Sequence, residues 1–592
     1  VLQELHSPID SFTEMISSLY LHSGSQAKPL RIGVMVDDLR ISKAFRKVLL
    51  DIRASDFANL ELVIMNRQGQ LPPKASAGKL SRYLRLLQDR EHRHFFLYTL
   101  FQEFDHHQLD GPDPLEVTDC SDILANCQRL DVTPITKRFV QSFPPDATAA
   151  LRSHGLDVVL RFGFNILCGE VLTSARFGIW SFHYGDNEFY RGGPALFWEV
   201  VEDNPCSGVV LQVLSEKLGD GLVLCKSVFA TARGLWPSHN LFYPYWGSTH
   251  FVVRKLHELH ECGWEVVKQH AVSPAPYKGK IEIYRAPSNS QMLRWLVPRV
   301  GKKVIRRLNP LRREKIHYWR ICLRHSDSPE LIAGLSQNKS NFRWMPCPPG
   351  HYYADPFLLQ HQGQVWLFFE DYLYGEKRGR ISCAPVQPDV SIGAPTVCVD
   401  PPYHLSYPMV FHHDSEIFMI PESAENHTVE LWRAINFPFS WKLEMTLFCG
   451  SLVDTTPLFH EGRWYFFTTL SEPPGNAAFG ALFSSDSLTG GWVSHPNCPI
   501  STDVRYARSA GAILEVENRL LRPVQDCSEN YGRRIRVEEI LELTPDSYRA
   551  RCLHSIEPDW DKGLKGVHTY SFCPHIEVLD AVSLQDRREV TP

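Results

Sequence analysis

The feature that most constrains this chain is a repeat in its C-terminal half. Short aromatic and β-branched runs, each a strand, a tight polar turn and a second strand, begin at Asp355, Tyr407, Thr456, Arg508 and Thr569. Their spacing of about 50 residues fits one four-stranded propeller blade per copy, because each copy cannot bury its apolar face alone and must stack on its neighbours. Five copies predict an all-β five-bladed β-propeller over residues 341–592, with the first strand of each blade lining a central funnel. Along such strands, alternation sets polar side chains toward the funnel beside apolar ones that pack between blades. The polar candidates are Asp355, Glu370, Glu422, Asp454, Arg508, Arg522, Asp526 and His568.

The N-terminal half reads differently. Leu30–Val36 is an apolar run closing on Asp37 and Asp38, helical spacing follows over residues 41–57, and residues 60–65 form a second apolar run. Strand, helix, strand is the unit of a parallel sheet. Residues 66–130 are less regular and read as an insertion. Strand signals return at residues 156–164, 177–182 and 207–214, predicting a Rossmann-like α/β domain of five or six strands over residues 29–232. Residues 1–28 precede it as an extension. Residues 233–340 read as a helical connector, with apolar-periodic stretches at 249–260 and 290–307 and a run of Trp236, Tyr243, Tyr245 and Trp246 expected to pack on the first domain.

Composition sets limits. Apolar residues make up 43% and charged residues 22% of 592, the balance of a globular protein, and a net charge of −5 gives no basic surplus for nucleic acid. The 15 cysteines include no CxxC pair, which argues against a zinc site or a disulfide framework. No apolar stretch reaches the roughly 18 residues a membrane span needs, and the first residues lack a basic-then-apolar signal pattern. The expectation is a cytoplasmic protein without a structural metal. A basic run from Arg299 to Lys315 reads as a solvated helix face or as a peripheral contact with acidic lipid or polyanionic glycan. Oligomeric state is left open.

Two segments carry family resemblances. LDVVLRFGFNIL, RFGIWSFHYGDNEFYRGGPALFWEV and SGVVLQVLSEKLGDGLVL, spanning Leu156–Leu224, resemble the formyltransferase family, the fold of methionyl-tRNA formyltransferase. Members move a formyl group from 10-formyltetrahydrofolate to an amine, using an Asn, a His and an Asp to polarise the carbonyl, hold the oxyanion and manage the proton. The resemblance places the family His at His183, its Asn at Ser181 and its Asp at Gly219, with Asp220 one residue later. It implies His183, Ser181 and Asp220 as catalytic residues and Arg191, Gly192, Asp186, Asn187 and Gly163 as substrate or cofactor contacts. The departures at Ser181 and Gly219 favour the alternative of a domain that has lost catalysis.

The C-terminal repeat resembles the propeller found N-terminally in plant glucosamine inositolphosphorylceramide transferases, and in layout the five-bladed glycosidases of the arabinanase and invertase type. Those glycosidases cleave with carboxylates from successive blades, for which Asp355, Glu422 and Asp454 are the nearest candidates. Trp366, Trp432 and Trp464 are read as inter-blade core rather than sugar platforms. The two resemblances together imply a formyl transferase acting on an amino sugar or glycan precursor, with carbohydrate or nucleotide sugar as partner. The alternatives are a glycan-binding or assembly protein with a degenerate transferase domain, and a propeller glycoside hydrolase or glycosyltransferase partner.

Overall fold

The computed structural model describes residues 16–68, 92–105, 111–217, 219–273, 275–308, 315–335, 338–470 and 479–590. Of the sequence expectations, residues 1–15 of the extension, much of the 66–130 insertion and residues 309–314 of the basic run lie outside these. The chain divides into two compact units, residues 1–308 and 309–592.

The first unit is built on a seven-stranded sheet of β1 (Leu30–Val36), β2 (Ala58–Asn66), β3 (Gln128–Val132), β4 (Val158–Arg161), β5 (Ile179–Tyr184), β6 (Cys206–Val213) and β7 (Leu222–Ala230). Its order is β3-β2-β1-β4-β5-β6-β7, with the first five strands parallel and the last two antiparallel. Helix α1 (Lys43–Ala54) starts where the Ser42 hydroxyl accepts from the Phe45 amide, and it buries Ala44, Val48, Leu49 and Ile52 at helical spacing. Alternate strand residues feed two cores. Val34, Val36, Val63 and Met65 pack with Leu49 on one face, and Met35, Leu62, Ile64 and Val159 pack with Leu151 on the other. A sheet buried on both faces explains why its strands read as continuous apolar runs.

Seven strands replace the five or six expected. Gln128–Val132 is short and largely exposed along QRLDV, so it offers no apolar run to detect. Leu222–Ala230 is an antiparallel edge added beyond the repeating pattern. The strand order reverses between β1 and β4, so their carboxyl ends flank a crevice where open α/β sheets place ligands. Gly163 lies there, and a Cβ on it would stand 2.4 Å from the Asp37 amide nitrogen.

Residues 233–340 divide between the units. The helices His239–Gly247, His250–Gln269 (broken at Gly263) and Asn289–Leu308 lie in the first, where Tyr245 stacks on Tyr184 at 3.6 Å and Trp236 on Phe101 at 5.9 Å. Strand Lys315–Ser326 lies in the second. It pairs antiparallel along its whole length with His575–Asp586. Its partner comes from the far end of the chain, which no local pattern announces.

The second unit holds five antiparallel sheets. The first four begin at strands His351–His361, Ser406–His413, Leu452–His460 and Arg508–Ser509, and the fifth combines Lys315–Ser326 with Tyr570–Cys573 and His575–Asp586. The five repeat copies therefore supply one sheet each. Phe357 and Phe368 of the first sheet pack on Tyr407 and Met409 of the second. Phe411 of the second meets Trp464 of the third, and Phe467 packs with Ile513 and Ile540 of the fourth. Leu521 and Val537 of the fourth join Tyr570 and Leu579 of the fifth, and Val578 and Ile321 of the fifth return to Leu358 and Phe369 of the first. The packing is cyclic. Trp464 is buried, Trp366 is edge-on to Phe437 and Phe439, and Trp432 donates its indole N–H to Glu430, so all three serve packing.

Gly511 sits where this packing is tightest. Its φ is +130°, and a Cβ would lie 2.0 Å from the Tyr570 carbonyl oxygen, while its amide donates to the Tyr407 hydroxyl at 2.8 Å. Gly511→Ala is expected to destabilise the second unit by about 2–4 kcal/mol, combining backbone strain with a displaced strand. Thermal unfolding checks this, and an unchanged transition contradicts it.

Candidate functional site

Three innermost strands share one local device. Asp355, Tyr407 and Asp454 stand at equivalent positions of the first three sheets, with φ of +50°, +44° and +49°. Each occupies a register shift in the pairing of its strand with the next. A β-bulge of this kind adds a residue, bends the strand and re-aims a side chain. Left-handed backbone at a non-glycine residue costs about 1–3 kcal/mol and persists only where the surroundings fix it, a pattern that clusters at functional sites.

The re-aimed side chains meet in a buried polar network. Arg508 of the fourth sheet donates from Nε to Asp454 Oδ2 at 2.5 Å, and from one terminal nitrogen to Asp454 Oδ1 at 3.2 Å and to Glu422 Oε2 at 3.1 Å. Gln525 adds a further donor to Asp454 at 2.9 Å. Tyr407 bridges neighbours through its hydroxyl, which pairs with Thr456 Oγ1 at 2.9 Å. On the other side, Asp355 accepts from the Thr569 hydroxyl at 2.7 Å and from the Tyr407 amide at 3.2 Å.

Asp580, fully buried, takes four donors: the amides of Asp355, His568 and Thr569 and the Nδ1 of His568 at 2.6 Å. Four donors suit an acceptor-only carboxylate. His568 stacks on Trp319 at 3.8 Å, and its Nε2 lies 3.7 Å from Asp355. Tyr531, 42% exposed, lies over the Arg508 guanidinium at 4.9 Å and edge-on to His568. It marks the open side of the cluster.

Burial and charge crowding tune these groups. Burial raises the Asp355 carboxyl to about 6 against the pull of His568. Burial, then the charge of Asp454, holds Glu422 well above the usual carboxylate range, although Arg508 opposes both. Glu370, buried near Asp355 and Glu422 and 3.4 Å from the Tyr352 hydroxyl, is raised in the same way. Burial works to lower His568, but the charges of Asp580 and Asp355 carry it above its ordinary value. Two neighbouring carboxyls cannot both ionise cheaply. Burial and the charge of Asp454 therefore favour the protonated form of Glu422, against the pull of Arg508.

Of the funnel candidates, Asp355, Glu370, Glu422, Asp454, Arg508 and His568 gather here. Arg522 and Asp526 find their partners elsewhere: Arg522 pairs with Glu538 at 3.0 Å against the Phe467 ring, and Asp526 pairs with Arg536 and Arg534. They brace the fourth sheet. Sequence reasoning missed Asp580, Tyr531 and Trp319. Asp580 was detectable as an acid inside the apolar run IEVLDAV, whereas Trp319 belongs to the strand contributed from the other end of the unit. Among the described residues, Asp355, His568 and Asp580 are the one group whose ligand atoms lie within 4.8 Å of one another, the spacing a metal ion would need.

In the first unit several residues carried over by resemblance lie near His183, with the charges of Asp186 and Arg191 acting on it, but their side chains are largely committed to protein partners. His183 stands on β5 and donates from Nε2 to the Tyr190 carbonyl oxygen at 2.7 Å, and burial lowers its pKa, leaving a neutral imidazole. Ser181 is buried, accepts from Arg161 Nε at 3.0 Å and donates to the Phe182 carbonyl oxygen. Asp220 lies on an exposed turn, paired with Lys217 at 2.7 Å. Asp186 is held by Lys226 at 2.8 Å, and the Asn187 carbonyl oxygen accepts from Arg191. Arg191 lies over the Tyr277 ring at 4.4 Å, and Gly192 packs against the Tyr284 backbone. Among the described residues no carboxylate hydrogen-bonds His183, on which Asp186 acts through charge, and the Ser181 hydroxyl is spent on Arg161 and the Phe182 carbonyl. No formyl-transfer step is assigned to these residues.

Residues 344–582 match the family model of glucosamine inositolphosphorylceramide transferase 1, N-terminal. A 211-residue stretch is 36% identical to glucosamine inositolphosphorylceramide transferase 1 of Arabidopsis thaliana, covering 34% of this chain and 27% of that protein. The protein of the same name from Oryza sativa subsp. indica is 34% identical over 210 residues, covering 34% and 28%. The match thus spans little more than a quarter of these curated relatives.

Among solved structures, an exo-β-1,3-galactanase from Clostridium thermocellum aligns over 38% of this chain and 57% of its own, at 14% identity and a TM-score of 0.31. Glycinamide ribonucleotide transformylase 1 from Symbiobacterium toebii aligns over 42% and 93%, at 15% identity and a TM-score of 0.27.

Two outcomes follow from the geometry. Arg508→Met strands Asp454 beside Glu422 without their cation, and it is expected to cost about 3–5 kcal/mol in denaturant unfolding. A loss below 1 kcal/mol contradicts the pairing. The raised pKa values of Asp355 and His568 have the same sign: their stabilisation is complete below the unfolded-state pKa and is lost as pH rises through the folded one. Asp355→Asn should therefore remove a decline in stability between about pH 4 and 6, and parallel pH profiles for the two proteins contradict this.

Proposed function

We propose that this chain takes part in sugar transfer to a glycan or glycolipid, and that its C-terminal ring, as a five-bladed β-propeller, holds an amino sugar over the Glu422–Asp454–Arg508 cluster. The observation that carries this reading is that Glu422 and Asp454, from two successive sheets, share the Arg508 guanidinium of a third, in a setting where burial raises the Glu422 carboxyl. The sequence match of residues 344–582 to glucosamine inositolphosphorylceramide transferases supports the substrate class.

The roles follow from the contacts. Glu422, partly exposed and protonated, gives its proton to the oxygen that leaves the anomeric carbon of the sugar, and regains one as the attacking hydroxyl bonds to that carbon and releases its own. Asp454, taken up by Arg508 and Gln525, fixes the guanidinium so that Arg508 orients rather than reacts. Five carboxyls, of Asp355, Glu370, Glu422, Asp454 and Asp580, gather about one guanidinium and the imidazoles of His568 and His404, and even with Glu422 and Glu370 protonated the acids are not outnumbered by cations, which favours an ammonium-bearing sugar over a phosphate. Tyr531 supplies an aromatic face at the open side.

The test compares calorimetric binding of glucosamine and N-acetylglucosamine with transfer from a nucleotide sugar to an inositolphosphoryl lipid. Glucosamine is expected to bind more tightly. Glu422→Gln should retain binding and lower turnover about 10²–10⁴-fold. Turnover should fall as pH rises through the raised Glu422 pKa, because the active form is the protonated one. Equal binding of both sugars, or full turnover in Glu422→Gln, overturns the reading.

A further inference from the structure

The helix Asn289–Leu308, here α5 after the three helices at 145–153, 239–247 and 250–269 (α2 to α4), presents two apolar faces, and the first unit uses only one of them. Met292 and Trp295 are buried and Leu296 is partly so, in a cluster with Tyr98, Phe101, Phe197 and Trp236. Arg299 lies over Trp295 and pairs with Asp203, and Lys303 lies over Trp236. That side anchors the helix.

The second face is a stripe of Leu293, Val297, Val300, Val304 and Leu308, with Ile305 beside it, and all six are exposed. Their spacing of four, three, four and four residues keeps them on one line of a 3.6-residue helix. Val297 is 63%, Ile305 69% and Leu308 74% exposed. Single exposed aliphatic residues are ordinary, but a continuous stripe is a mark of an interaction surface.

Charge decides what covers it. Residues 289–308 hold six Lys and Arg and no Asp or Glu. The exposed Arg294, Lys302 and Arg307 lie outside the stripe, with Arg294 and Arg307 on opposite sides of it. A polyanionic glycan would satisfy the cations and leave the aliphatic stripe in water. A surface with an anionic layer above an apolar one satisfies both, which is the arrangement by which amphipathic helices lie in a bilayer interface. No helix among the described residues is long and apolar enough to cross a membrane, so this contact would be peripheral.

We propose that α5 docks the protein on anionic lipid bilayers, its stripe sunk among the acyl chains and its arginines and lysines at the headgroups. The inference stands on α5 alone and does not depend on the sugar site.

The test is co-sedimentation of the full chain with phosphatidylcholine vesicles prepared with and without phosphatidylserine. The protein is expected to pellet with the anionic vesicles, to bind neutral ones far more weakly, and to be released by salt. Arg294→Glu with Lys302→Glu should weaken binding by about five-fold per unit of charge removed. Val297→Asp with Val304→Asp should abolish it on both vesicles. All four positions are exposed, so thermal unfolding of the variants should match the wild type. Failure of the wild type to pellet overturns the proposal, as does retained binding in the Val297→Asp, Val304→Asp variant. So does binding to a sulfated polysaccharide without binding to vesicles, or a dimer that this variant dissociates while vesicles remain unbound.

Discussion

The ion pair of Arg508 with Asp454, shared with Glu422, is the constraint on which the centre of the second unit depends. A guanidinium buried at the axis of a β ring cannot be left without counter-charge, since breaking such a pair costs far more than forming it returns. Its partners come from different sheets: Glu422 from the second, Asp454 from the third, Arg508 itself from the fourth. Asp580, His568 and Thr569 of the fifth sheet then engage Asp355 of the first. The Tyr407 hydroxyl ties the second sheet to Thr456 and Gly511. One polar network therefore touches every sheet, and the same groups that hold the ring in register set the protonation of the candidate acid.

This arrangement links strain to chemistry. The bulges at Asp355, Tyr407 and Asp454 spend backbone energy to turn three side chains toward the axis. The strands on either side are fixed by apolar packing between sheets, which is what allows the strain to persist. Crowding of carboxyls then follows from geometry alone, and with it the elevation of Asp355, Glu370 and Glu422.

Much of the fold was legible because it repeats. The copies beginning at Tyr407, Arg508 and Thr569 start at or within one residue of a strand's first residue, those at Asp355 and Thr456 four residues into one, and the apolar runs at 30–36 and 60–65 became adjacent parallel strands. What escaped notice depends on distant partners. Lys315–Ser326 reads as connector until its pairing with His575–Asp586 is seen, and Gln128–Val132 is a polar edge strand. At the ring centre, alternation pointed to several acids that gather there but missed Asp580 and did not separate Asp454, aimed inward by its bulge, from Asp526, which braces Arg534 and Arg536. In the α/β unit, motif spacing located His183 at a strand end. Spacing carries no information about where a hydroxyl or carboxylate is spent, and Ser181 and Asp220 are spent on Arg161 and Lys217.

The central claim is that burial, then the charge of Asp454, holds a proton on Glu422 against the pull of Arg508. Infrared difference spectroscopy of the wild type against Glu422→Gln reads this directly. A protonated-carboxyl C=O stretch present at pH 7 in the wild type and missing from the variant is the predicted result. A difference spectrum showing only the loss of a carboxylate band would mean that Glu422 is ionised there, and the account of the ring centre as a proton-donating sugar site would fail.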